Sequence, residues 1–361
     1  MPEVELTAGV VEYEDTGGTG PVVVLLPGLA MDGSVWRRIV RDLRSDHRCV
    51  VPTLPLGAHR RPMRPAADLS PRGIAELEAE FLEALDLRDV TLVGNDSGLF
   101  QIAAAEHPER ISRLVITSCE AFENFPPGLP GRAVSLAGRV PGGLNAAFQP
   151  LRLRFLRRSP FVLGRMAKRP IPHVVTDAWL RPLLAQRDIR RDLAKYLRAA
   201  KKGDMLAAAE RLRSFDRPTL VIWAAEDRVM PPAHGRRFVE LLPRRAPRGG
   251  RRQLHTHSRG PARRAGRAQS RLRSVLVASV GGCRPRRSSS PEGEEERQEE
   301  EDASDDHEDE PDDADVDSRR LPGHRIAEDR AESDEEERAS EPAGRHAGER
   351  NTELPPGRRR R

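Results

Sequence analysis

At 361 residues the chain has room for one large domain or two medium ones. Its formal net charge of +5 is small for this length and sums Arg-rich against acidic blocks, so charge gives no ground for a nucleic-acid partner. No apolar run reaches the ~18–20 residues of a membrane span, the start lacks a signal-peptide pattern, and Cys49, Cys119 and Cys283 form no metal or redox motif; the expectation is a cytoplasmic protein with no membrane partner.

Val4–Leu6 and Val10–Tyr13 alternate apolar and polar residues, which predicts an edge hairpin. Pro21–Leu26 is a continuous apolar run, as in a strand buried on both faces. Ser34 can cap a helix whose stripe is Val35, Trp36, Ile39, Val40 and Leu43. Cys49–Val51 reads as a short strand, and Ser70-Pro71 as the start of a helix carrying Ile74, Leu77, Phe81, Leu82 and Leu85. Val90–Val93 is again a buried-type strand, running through Gly94-Asn95-Asp96-Ser97-Gly98 into a helix over Leu99–Glu106. Leu114–Thr117 is a further strand. A long stretch with helical patterning and Pro/Gly breaks follows, before the strand Thr219–Trp223 and a helix over His234–Leu242. Alternating strands and helices predict an α/β fold with a mostly parallel sheet.

A strand, then Gly-x-X-x-Gly, then a helix is the arrangement of a nucleophile elbow. Gly94 and Gly98 meet its need for small flanks where strand and helix pass closely, and Asp96 stands at its centre, with Ser97 one place late. On these residues the chain resembles the α/β-hydrolase superfamily over about residues 3–243, together with Pro27-Gly28-Leu29 after the third strand and Glu226-Asp227 before Pro231. The resemblance implies N–H oxyanion donors at Leu29 and Ser97, an orienting acid at Asp227, and a lid over 120–215. It divides the chain into core at 1–119 and 216–243, with the lid between.

An aspartate at the elbow makes the chain look like epoxide hydrolases and dehalogenases. There the carboxylate attacks carbon and a His-activated water hydrolyses the resulting ester. The expectation is that a helix N-terminus holds Asp96 ionised. The resemblance implies a small, mostly apolar substrate and no metal or organic cofactor. The alternative for Asp96 is a capping residue in a non-catalytic binding protein; for Ser97, the nucleophile of a serine esterase. Glu120 follows the strand Leu114–Thr117, where some dehalogenases place their acid, and otherwise reads as a rim residue. Tyr196 could serve as a lid acid toward an epoxide oxygen, or pack with Leu193 and Leu197. Dehalogenases carry a halide-gripping Trp directly after the nucleophile; Ser97 stands there, which argues against that activity. Arg152, Arg154, Arg157 and Arg158 read as a solvated face, or as a grip for an anionic substrate.

Every Phe, Trp, Tyr, Lys and Met lies before Arg244, and beyond it the single isoleucine is Ile326. So little apolar area cannot offset ordering entropy, which predicts a disordered charged tail over 244–361. The family's catalytic histidine follows an eighth strand. His255 and His257 lie near the expected spacing as possible bases, but nothing around them reads as that strand, which is expected to be missing. A one-base shift of reading frame over 250–262 permits residues like the family's loop after strand eight. The segment therefore reads as a frame-slip product, and the enzyme as impaired, with a genuine polyampholyte tail as the alternative.

Overall fold

The computed structural model describes residues 1–243, apart from 161, 165, 168 and 169, together with the backbone of Leu254–His257. All of these belong to the first of two units into which the chain divides, Met1–Ser289. The elements run β1 (Glu3–Leu6), β2 (Gly9–Asp15), β3 (Val22–Leu26), α1 (Arg37–Leu43), β4 (Arg48–Pro52), α2 (Pro71–Ala84), β5 (Val90–Asp96), α3 (Phe100–Glu106) and β6 (Ile111–Cys119). An insertion of helices follows: α4 (Gly128–Arg139), α5 (Gly143–Phe148), α6 (His173–Ala185), α7 (Arg187–Ala199) and α8 (Lys202–Arg211). The chain then returns to the sheet through β7 (Thr219–Ala224), α9 (Pro232–Leu241) and β8 (Leu254–His257).

The sheet order is β1-β2-β4-β3-β5-β6-β7-β8. β1 and β2 pair antiparallel, as does β2 with β4; the other pairings are parallel. The apolar strand runs divide by pleat. Val24 and Leu26 of β3, Leu114 and Ile116 of β6, and Val221 and Trp223 of β7 join one core with α2, α3, α9 and much of the insertion. Val23, Leu25, Val115, Leu220 and Ile222 join the other, against Trp36 and Leu43. Each such side chain withdrawn from water stabilises by ~1.5–3 kcal/mol. A continuous apolar run is thus what a strand covered on both faces requires.

Two expectations are corrected. Ser34 does not cap the first helix. The capping side chain is Asp32, whose Oδ1 accepts from the Ser34 N–H at 3.0 Å, and a short 3₁₀ turn over Gly33–Trp36 precedes α1. The eighth strand is not missing either: Leu254–His257 pairs parallel with β7, Val221 opposite Leu254 and Ala224 opposite His257. Without β8 the edge of β7 would be a row of unpaired N–H and C=O groups, which templates an extended neighbour despite weak local propensity. The remainder of the expected disordered tail lies outside the described residues.

The insertion is fastened by buried polar groups. Asp192 of α7, wholly buried, accepts from the Met63 N–H at 2.8 Å, lies 3.3 Å from His59 Nε2 and is bonded by Arg191. Trp179 of α6 donates its indole N–H to Asp32 Oδ1 at 3.0 Å and to Ser34 Oγ at 2.8 Å. Of the arginine group, Arg152, Arg154 and Arg158 are exposed, as a solvated face requires, and Arg157 is the exception. Arg157 is buried and bonds the Leu151 carbonyl, Thr176 and Asp177, while Arg154 also pairs with Asp177.

Candidate active site

β5 ends in Asp96, and the chain turns sharply there: Asp96 has φ +66°, a left-handed conformation that L-residues other than Gly rarely adopt. The turn closes through the Ser97 N–H, which donates to the Asn95 carbonyl at 2.8 Å. Gly94 and Gly98 are small for a concrete reason. A Cβ on Gly94 would stand 1.9 Å from the Phe100 ring, and one on Gly98 2.4 Å from the Glu120 carbonyl oxygen.

The loop after β3 approaches from the side. The Leu29 N–H donates to Asp96 Oδ2 at 3.0 Å, and Gly28 is there because a Cβ would lie 2.2 Å from that same oxygen. No described residue hydrogen-bonds Asp96 Oδ1. The two expected oxyanion donors are therefore in different states: Leu29 N–H on the carboxylate, Ser97 N–H folded back on Asn95. The helix-dipole expectation for Asp96 does not hold. α3 begins only at Phe100, and burial raises the Asp96 pKa to about 6, with the Leu29 hydrogen bond opposing and Asp227 adding to the rise.

β6 pairs Asp96 with Cys119, so the next residue, Glu120, is brought beside the elbow. Its backbone is tied on both sides: its N–H donates to the Asp96 carbonyl at 2.8 Å, and its carbonyl accepts from Gln101 Nε2 at 2.7 Å. Glu120 is buried and not a rim residue. Desolvation, then the Asp96 charge, push its pKa well up, against a hydrogen bond from the Gly98 N–H. Gln101, fully buried, was not singled out from the sequence; its signal is an amide on the apolar face of a short helix.

Tyr196 of α7 is 2% exposed. Burial raises its pKa first, with the Glu120 and Asp96 charges adding, so the phenol faces the elbow as well as packing in its helix. The Ser97 hydroxyl neighbours the phenol and opposes that rise, and Ser97 Oγ is buried with no hydrogen-bond partner among the described residues. Asp227 follows β7 and uses Oδ1 to accept from the N–H groups of Val229 and Met230, at 2.9 and 2.8 Å. Its charge is felt at Asp96. His257 ends β8, opposite Ala224, which ends β7; His255 lies two residues earlier, opposite Ile222. Among the described residues no cluster of three or more His, Cys, Asp or Glu is placed to hold a metal. Two roomy surface clefts, of about 460 and 610 Å³, lie beside Phe122 and beside Arg132, and Asp96 lines neither.

The α/β hydrolase fold model matches residues 21–249. A haloalkane dehalogenase of Mesorhizobium japonicum is 30% identical over 146 residues, which are 39% of this chain and 47% of that protein. The chain thus spans about half the length of this curated relative. A 2-hydroxy-6-oxononadienedioate/2-hydroxy-6-oxononatrienedioate hydrolase of Cupriavidus pinatubonensis is 25% identical over 240 residues, 64% of this chain and 80% of its own. Among solved structures, haloalkane dehalogenase DbeA from Bradyrhizobium elkani superposes with a TM-score of 0.59 at 18% identity, covering 77% of this chain and 96% of that one. The enol-lactonase from Burkholderia xenovorans does so at 0.54 and 18%, covering 78% and 100%. With the sheet order and a family match over most of the described residues, the chain belongs to the α/β-hydrolase fold family.

Proposed function

We propose that this chain is a hydrolase that attacks carbon with Asp96 and passes through an alkyl-enzyme ester. The observation that carries the reading is the 3.0 Å hydrogen bond from the Leu29 N–H to Asp96 Oδ2. It leaves Oδ1 as the attacking oxygen. When Oδ1 bonds to substrate carbon, the bond from that carbon to its leaving group breaks and the leaving group takes the electron pair. Water, giving a proton to a base, then attacks the Asp96 carboxyl carbon, and negative charge gathers on Oδ2, against a donor already in place. Collapse breaks the bond from that carbon to Oδ1, which leaves with the product as an alcohol on taking the proton, and the carboxylate is restored with one oxygen from water. For an epoxide the leaving oxygen stays on the product and takes a proton, for which Tyr196 is the nearest phenol. The burial of Tyr196, Ser97 and Glu120 favours a small, mostly apolar substrate and an insertion that moves to admit it. The substitution of Ser97 for a halide-gripping Trp favours an epoxide-like electrophile over a haloalkane.

The serine-esterase reading is weaker, because the Leu29 N–H is engaged by Asp96 and Ser97 Oγ is buried and unpartnered. Water attack needs a base. His257 is the better placed of the two histidines by register, and Asp227 is the acid of the adjoining turn. The impaired-enzyme reading turns on whether His257 acts. Incubation with a small apolar epoxide should add its mass to the Asp96 peptide, and Asp96→Ala should abolish the adduct while Ser97→Ala retains it. An acyl adduct on Ser97 from an activated ester, with no alkylation of Asp96, would overturn the assignment.

A further inference from the structure

α4 buries a narrow face of small residues: Ser135 and Gly138 are buried, Val134 and Ala137 pack partly against the core, and a Cβ on Gly138 would meet Leu197 of α7 at 2.7 Å. The exposed positions are Leu129, Arg132, Ala133, Leu136, Arg139 and the capping Val140. Their spacing of three, four and seven is that of a single helix face. Large apolar side chains of a surface helix normally turn inward. Here Leu129, Leu136 and Val140 are 70%, 64% and 51% exposed. Of the large apolar side chains that the described residues leave exposed, all but Met1 lie in the insertion, Phe155 and Val174 among them.

The same stripe carries positive charge. Arg132 and Arg139 alternate with the leucines, and with Arg198, Lys201 and Lys202 they line the adjoining cleft of about 610 Å³. Among the described residues none of these five cations is paired with a carboxylate. The acid in that cleft, Glu123, is held by Arg237 at 2.8 Å.

We infer that this face of the insertion docks on an anionic phospholipid surface. Leucine and valine would enter the acyl boundary, while the arginines extend to headgroup phosphates. Charge complementarity selects this occupant. A two-fold contact between copies through the stripe would set arginines against arginines. A nucleic acid would leave the leucines without a role, since it is gripped by cations and aromatic stacking. No described helix is long and apolar enough to cross a membrane, so the contact is with the surface. A helix lying flat there covers ~18 Å, and an apolar substrate would meet the insertion directly from the lipid.

The full chain should co-float with phosphatidylglycerol–phosphatidylcholine vesicles and not with phosphatidylcholine alone. Leu129→Ser/Leu136→Ser and Arg132→Gln/Arg139→Gln should each weaken that binding tenfold or more, with circular dichroism and melting unchanged because all four side chains are exposed. Both variants keep everything beyond residue 243, so binding driven from there would leave them at wild-type affinity and overturn the inference. Equal binding to neutral vesicles would also overturn it. So would a concentration-dependent dimer lost in Leu129→Ser/Leu136→Ser without any vesicle binding. The readout is lipid binding, so it fails or succeeds separately from Asp96 chemistry.

Discussion

The raised Asp96 pKa makes the proposed nucleophile a measurable burden on the fold. Burial lifts it from 3.8 to about 6, about two units, and each unit is worth ~1.4 kcal/mol between the protonation states. Below pH 4 the carboxyl is protonated in both folded and unfolded chains, and no penalty exists. Between pH 4 and 6 the unfolded chain ionises first, so stability falls. Above pH 6 the full penalty stands, at most ~3 kcal/mol since the side chain is only partly buried. Asp96→Asn removes the titrating group, tolerates φ +66° better than most residues, and retains an oxygen for the Leu29 N–H. At pH 8 it should therefore melt about 5–10 °C above the wild type, given ~2–4 °C per kcal/mol for a folded unit of this size. At pH 4 the two should coincide. The assay is thermal unfolding by circular dichroism across pH 4–8. An Asn variant no more stable at pH 8, or stabilised equally at both ends, would refute the burial argument.

Four further outcomes follow from the same geometry. Covalent labelling of Asp96 by an epoxide requires the carboxylate, so its rate should fall about tenfold per pH unit below about 6 and be flat above; mass spectrometry of single-turnover mixtures reads this, and a rate still climbing from pH 7 to 9 contradicts it. Gly28→Ala places a Cβ 2.2 Å from Asp96 Oδ2; it should lose ~1–3 kcal/mol of stability and all labelling, and wild-type behaviour would mean the carboxyl has room to move. Trp179→Phe deletes the indole N–H shared by Asp32 and Ser34, and should cost ~1–2 kcal/mol in urea unfolding; no change would show the insertion is not fastened there. If His257 is the base, His257→Ala should slow breakdown of the Asp96 ester by ~10²–10⁴-fold without slowing its formation, whereas an ester that persists equally in both proteins would show that this chain lacks a working base.

Much of the sheet was legible because its signals are local. Val22–Leu26 and Leu220–Ala224 are apolar without interruption, and the sharp turn after β5 is marked by two glycines and a strand-to-helix change within a few residues. What stayed hidden depends on contacts distant in sequence. Glu120 read as a rim residue because its burial comes from the register of Asp96 with Cys119 and from Gln101 crossing beneath it. Arg157 read as part of a solvated face, and it is buried against the Leu151 carbonyl, Thr176 and Asp177. The ionisation of Asp96 was referred to a helix terminus in its own segment, when desolvation by the surrounding fold decides it.

The eighth strand shows how far tertiary context can override composition. Leu254–His257 has one aliphatic residue and two histidines, and the surrounding sequence gave no reason to expect a strand. Its partner β7 is already fixed by β6 and offers a full row of backbone groups, so four residues in extended form complete a ladder whatever their side chains. Formation of β8 therefore says nothing about whether the reading frame is the original one. Register says more. β5 ends at Asp96, β6 at Cys119 just before Glu120, β7 at Ala224 three residues before Asp227, and β8 at His257. These strands are parallel neighbours, so their ends fall along one edge of the sheet, where open α/β sheets place their chemistry. His255 sits two residues inside that edge, level with Ile222. Of the two histidines, His257 is the one nearer the level at which β5 ends, and its replacement is the direct test of whether this chain can complete the second half of the proposed reaction.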